Sequence, residues 1–165
     1  PIEMAGTYPL PEAQMDRFLM RISVGYPSRE EELAIVRSRR SVTDSIRLKP
    51  VASAQDILAI QEQVASVHVD RELLEYIVMI VEATRTADGV LMGVSPRGSI
   101  ALTQAACARA IISGREYVLP DDIKGLVYPV LAHRIVLKNR SGAKGTTAED
   151  ILNTVLQGIR VPKVK

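Results

Sequence analysis

Gly93-Val94-Ser95-Pro96-Arg97-Gly98-Ser99-Ile100-Ala101, and the run that continues to Gly114, decides the fold. Ser is a preferred helix N-cap and Pro suits the first helical position, so this text starts a helix at Ser95. Behind it come Ala101, Ala105, Ala106, Ala108 and Ala110, and Gly114 stops it. Small side chains let neighbouring helices come close, so this helix is expected at the centre of a bundle.

The same signals recur on both sides. Ser28 with Glu31, and Ser53 with Asp56, have capping-box spacing. Each opens a helix, the first carrying Leu33, Ile35 and Val36, the second Ile57, Leu58, Ile60 and Val64. Asp70 caps a longer helix with Leu73, Leu74, Ile77, Ile80, Val81 and Thr84 at steps of three and four. Pro120-Asp121-Asp122 begins another, with Ile123, Leu126, Val127, Val130 and Leu131 on one face; Pro129 is expected to kink or split it. Thr146 and Glu149 are read as the cap of a last helix holding Ile151, Leu152, Val155 and Leu156. Near the start, Pro11–Leu19 reads as a short helix, and Arg21-Ile22-Ser23-Val24 alternates like a short strand ended by Gly25-Tyr26-Pro27. Residues 41–52, with Pro50, read as loop or extended chain. The text from Pro1 to Pro9 is irregular, as if entered in mid-flow, and is read as part of a fragment. The fold class is therefore mainly α, a helical bundle.

Composition narrows the function. The chain has 165 residues, of which 47% are hydrophobic, enough for a real core. One cysteine, Cys107, excludes a disulfide framework and a Cys-based zinc site; set among alanines, it reads as a buried inert thiol. His68 and His133 are too far apart for a local metal box, and His133 beside Arg134 reads as a helix-end cation. No metal site is expected. No apolar run approaches the ~18 residues of a membrane span, which fits a cytoplasmic protein. The net charge of +2 is too small to point to nucleic acid. Residues 135–165 do hold six Lys and Arg (Lys138, Arg140, Lys144, Arg160, Lys163, Lys165) against Glu149 and Asp150, a net of +4. A solvated tail accounts for that.

Two arginines draw attention. Arg97 falls in the first turn of the Ser95 helix, where a cation opposes the helix dipole. The same end should offer backbone N–H groups, so an anion such as phosphate in front of it would explain the arginine. A solvated side chain bending away would explain it too. Arg17 stands near the end of the first short helix. It is either structural, paired with Asp16 or Glu12, or a planar fork reaching a neighbour's phosphate. Arg37, Arg39 and Arg40 read as a solvated helix end or a contact for an acidic partner.

Taken with Gly6-Thr7-Tyr8-Pro9-Leu10-Pro11-Glu12-Ala13-Gln14, Asp16-Arg17-Phe18 and Gly25-Tyr26-Pro27, the Gly93–Gly98 block resembles the MoxR family of AAA+ ATPases. Tyr117-Val118-Leu119-Pro120-Asp121-Asp122-Ile123 and Val130-Leu131-Ala132-His133-Arg134 continue the match to about residue 137. The resemblance implies that residues 1–27 are the C-terminal remnant of the α/β P-loop core, residues 28–137 the helical AAA+ lid domain, and residues 138–165 a basic C-terminal loop and helix. It implies ATP and Mg2+, both held mainly by an upstream core whose Walker A and Walker B motifs this chain lacks. The fragment alone should then be inactive, and the full-length protein an ATPase. Arg17 matches the arginine finger, acting in trans on an adjacent subunit's γ-phosphate. Arg97 matches sensor 2, reaching the nucleotide in cis, so both are expected catalytic residues and Arg97 also binds the nucleotide. The resemblance further implies a homo-oligomeric ring, a hexamer, that remodels an unknown client protein in the manner of a chaperone. Leu119 departs from it, standing where the family has a Thr or Ser cap.

Two other functions compete. A helical nucleic-acid-binding module would use Arg37, Arg39, Arg40 and the basic tail. A non-catalytic adaptor bundle would hold partner peptides in its grooves, but has no need of a cation at a helix start.

Overall fold

Seven helices and one two-stranded sheet occupy residues 10–39, 49–138 and 145–162, the parts of the chain that the computed structural model describes. In order these are α1 (Glu12–Met15), α2 (Arg29–Arg39), α3 (Ala54–Ser66), α4 (Arg71–Thr86), β1 (Val90–Met92), α5 (Pro96–Ile112), α6 (Pro120–Leu131), a 3-10 turn (Ala132–Arg134), β2 (Val136–Leu137) and α7 (Ala148–Gly158).

The alanine-rich α5 lies at the centre, packed on α6, α4 and α3. Its buried residues are mostly small: Gly98, Ala101, Leu102, Ala105, Ala106, Cys107 and Ala110. The larger side chains come from its neighbours. Leu73, Tyr76, Ile77, Ile80 and Val81 of α4, and Ile123, Val127, Val130 and Leu131 of α6, are essentially sealed from solvent. Each contributes about 1.5–3 kcal/mol relative to exposure, so these two faces dominate the core's stability. α7 adds Ile151, Leu152 and Val155 and packs on α4, on α6 and on the 3-10 turn.

The capping signals act as read for two helices. Ser28 and Glu31 exchange hydrogen bonds at 2.8 and 3.3 Å, and Ser53 and Asp56 do the same at 2.7 and 3.2 Å. At α7 the box is shifted by one residue: Thr147 is the cap and Asp150 its partner, with bonds of 2.9 and 3.1 Å. Leu119 has no side-chain acceptor to offer α6. Asp122 compensates by accepting from the Leu119 N–H at 2.8 Å.

Three expectations change. The first short helix covers only Glu12–Met15. Residues 21–24 are not a strand, because no partner strand lies beside them among the described residues; the Arg21 N–H donates instead to the Pro129 carbonyl at 2.7 Å. α6 runs on through Pro129 to Leu131 and only then tightens into the 3-10 turn. The sheet is antiparallel, Val90 opposite Leu137 and Met92 opposite Val136, and closes the chain around α5 and α6. No described helix is long and apolar enough to cross a membrane. The readings placed on residues 1–9, on residues 41–48 and on Arg40, Arg140, Lys144, Lys163 and Lys165 lie outside the described residues.

Candidate functional site

The site begins where α4 holds the approach to α5. Thr84, buried on α4, donates to the Val81 carbonyl at 2.6 Å and accepts from the Val94 N–H at 3.0 Å. The next residue, Arg85, donates from Nε to the Val94 carbonyl at 2.9 Å. Both polar backbone atoms of Val94 are thus fixed by α4. The approach is so close that a Cβ on Gly93 would lie 2.6 Å from Arg85 Cα, so only glycine fits there.

Ser95 then caps α5, its Oγ accepting from the Arg97 N–H at 3.2 Å. Pro96 has no N–H, and the Gly98 N–H donates to the Ser95 carbonyl at 2.9 Å. The first-turn donors that the sequence suggested for an anion are therefore engaged within the turn. What remains to meet an anion is the Arg97 guanidinium, which is exposed.

Arg17 follows α1 and is exposed as well. Arg17 and Arg97 border one shallow groove of about 370 Å3, with Leu19, Ile100 and Ala101 among its walls. Neither arginine forms an ion pair or a side-chain hydrogen bond among the described residues. Asp16, the expected partner of Arg17, is engaged elsewhere: its Oδ1 lies 2.8 Å from Arg134 Nη1 and its Oδ2 accepts from Ser95 Oγ at 2.9 Å. Two guanidiniums without a bonded carboxylate border this groove, whose lining also includes Asp16 and Arg134, and their planar forks suit an anion with several oxygens.

Arg37, Cys107 and His133 do not line this groove. Arg37 is exposed on α2, and Arg39 ends that helix. Cys107 is buried in α5, and burial pushes its thiol up from the ordinary value, in keeping with an inert side chain. His133, read as a helix-end cation, is placed where its charged form is disfavoured. Burial lowers its pKa, and the Arg134 and Arg21 cations add to that against the Phe18 carbonyl, which lies 3.3 Å from Nε2. No group of His, Cys, Asp and Glu able to hold a metal ion occurs among the described residues.

Arg134 was the residue that sequence reasoning missed. It reads as one more basic residue at a helix end, yet it is 7% exposed and all of its donors are engaged. The signals were its place soon after a proline-containing apolar helix and in the Val130–Arg134 block of the family resemblance.

The AAA lid domain family is matched over residues 82–155, from the last turn of α4 into α7, which gives this part of the bundle its class. The uncharacterised protein YeaC of Bacillus subtilis is 44% identical over 98% of the chain and 51% of its own length. Chaperone MoxR1 of Mycobacterium tuberculosis is 42% identical over 99% of the chain and 45% of its own length. A crystal structure of a candidate ATPase from Cytophaga hutchinsonii superposes with a TM-score of 0.88 at 36% identity, covering 99% of this chain and 52% of that one. The chain belongs to the MoxR-type AAA+ ATPase family and spans about half the length of these relatives.

Proposed function

We propose that this segment supplies two phosphate-facing arginines to the ATP hydrolysis of a MoxR-type AAA+ ATPase. The observation that carries the reading is that Arg17 and Arg97, both exposed and both without a countercharge, border one groove. In phosphoryl transfer the protein's task is positioning and charge stabilisation, since negative charge shifts across the γ-phosphoryl oxygens and the leaving group. A planar guanidinium matches those oxygens in geometry and stays protonated throughout. Arg17 serves as the arginine finger and Arg97 as sensor 2. One groove carries both, with Arg17 addressing the adjacent subunit's triphosphate and Arg97 that of its own subunit.

The nucleotide's other contacts would come from a P-loop core outside this chain, where Mg2+ would offset part of the phosphates' charge. The chain's own residues fit the phosphate end only. We place the whole protein in the cytoplasm as a homo-oligomeric ring, a hexamer, in which hydrolysis drives the remodelling of a client protein. The relative named chaperone MoxR1 supports that last step.

The test uses the protein with its nucleotide-binding core attached. Arg17→Ala and Arg97→Ala are each expected to lower ATP turnover by about 10^2-fold or more, since an arginine finger is worth about 10^3–10^5 in kcat where it has been removed. Wild-type turnover in both variants would overturn the reading. Mixing Arg17→Ala subunits with Walker A-dead subunits should restore part of the activity if Arg17 acts on the neighbour's nucleotide. The same mixture made with Arg97→Ala should stay inactive, because Arg97 acts on its own subunit's nucleotide.

A further inference from the structure

The chain beside Arg17 and the cap before Arg97 are joined through the Asp16 carboxylate. Asp16 immediately precedes Arg17, and Ser95 stands two residues before Arg97. Asp16 Oδ2 accepts from Ser95 Oγ at 2.9 Å, and that same Oγ accepts from the Arg97 N–H. The other oxygen, Oδ1, accepts from Arg134 Nη1 at 2.8 Å.

Arg134 secures the arrangement from below. Its side chain is 2% exposed. Nε donates to the Val130 carbonyl at 2.8 Å, fixing the guanidinium to α6. Nη1 also donates to the Asp16 carbonyl, and Nη2 donates to the Phe18 carbonyl at 2.6 Å and to that of Leu19 at 3.4 Å. All five guanidinium donors are in use. The carbonyls they hold belong to residues 16, 18 and 19, on both sides of Arg17. The backbone that carries Arg17 is thereby fixed to α6, and Asp16 joins it to the cap of the helix that carries Arg97.

We infer that Asp16, with Ser95 and Arg134, is a positioning device that sets the separation and aim of Arg17 and Arg97 before a phosphate arrives. The inference rests on the proposed role of those two arginines. None of the three residues needs to touch the nucleotide. Their effect is preorganisation: a small displacement of a catalytic charge is costly in rate even where binding survives. An ion pair that only stabilised the lid would have no reason to end on the residues flanking Arg17 and on the cap that orders Arg97.

Ser95→Gly is the cleanest test, because Gly is tolerated at an N-cap while the tie to Asp16 disappears. In the protein with its nucleotide-binding core, we expect kcat for ATP hydrolysis to fall about tenfold while KM for ATP stays within about twofold. Ser95→Thr, which keeps a hydroxyl, should restore kcat. The melting temperature of Ser95→Gly should stay within about 2 °C of wild type. In an Arg17→Ala/Arg97→Ala background, Ser95→Gly should change the residual kcat by less than about twofold, because nothing is left to position.

Asp16→Asn is expected to act in the same direction; Ser95→Gly decides the matter if Asp16→Asn fails to fold. The inference is overturned if Ser95→Gly keeps wild-type kcat while Arg17→Ala and Arg97→Ala are impaired. It is equally overturned if the full loss persists in the background lacking both arginines, which would mark Ser95 as structural. Wild-type turnover in the two single arginine variants, seen before Ser95 is touched, removes the parent reading and this one together.

Discussion

Gly98 lies directly against Arg134. A Cβ placed on Gly98 would meet Arg134 Cδ at 3.4 Å and Leu131 Cδ2 at 3.2 Å, and would collide outright with Val94 Cγ1. Val94 is the neighbour that leaves residue 98 no room for a side chain; Leu131 and Arg134 close the remaining space. Gly98→Ala should therefore destabilise the chain despite alanine's better helix propensity, by about 1–3 kcal/mol as expected of overpacking. Urea unfolding of the 165-residue chain reads this as a lower midpoint; an unchanged or raised midpoint contradicts the packing described.

Removing Arg134 should cost more. Arg134→Met roughly keeps the aliphatic stem but strips donors from the carbonyls of Val130, Asp16 and Phe18 and leaves Asp16 without its cation. The Asp16 side chain retains 23% exposure, so its charge stays partly solvated. The expected loss is about 2–4 kcal/mol, below that of breaking a fully buried pair. Arg134→Lys should recover only part of it, since an ammonium cannot reproduce the guanidinium's five-donor fork. A midpoint for Arg134→Lys equal to wild type would count against the importance of that fork.

Acid should weaken the fold in two separate windows. His133 has a lowered folded pKa, so the unfolded state binds more protons and stability is lost as pH falls from about 6.5. Asp122 follows the same sign at lower pH. Burial pushes its carboxyl up, but two Arg115 hydrogen bonds at 2.8 Å and the Leu119 N–H outweigh that and hold it below the usual value. Its contribution is present above about pH 3.9 and disappears as pH drops below that. Melting temperatures from pH 8 to 3 should show both declines, and His133→Gln should erase only the upper one. A flat profile between pH 7 and 5 in the wild type would rule out the role given to His133.

Most of the helical frame could be read from residue order, because caps and periodicity are local. Ser95-Pro96 fixed the start of α5, and the three-and-four spacing of Leu73, Ile77, Ile80 and Thr84 fixed the buried face of α4. The short elements were less accessible. β1 and β2 are three and two residues long and carry no period, and residues 21–24 alternate without being a strand because strand formation depends on a partner elsewhere in the chain. The arginines bordering the groove were legible as residue types. The groove itself was not, since Asp16 and Arg134 meet across more than a hundred residues and nothing local marks a buried arginine.

The two bonds from α4 to Val94 have a mechanical consequence. A junction between helices can swivel when its peptide groups are free to exchange partners with water. Here the Thr84 hydroxyl and the Arg85 guanidinium grip both sides of the joint. The tip of α5, which carries Arg97, is thereby clamped to the last turn of α4 on both faces of a single residue.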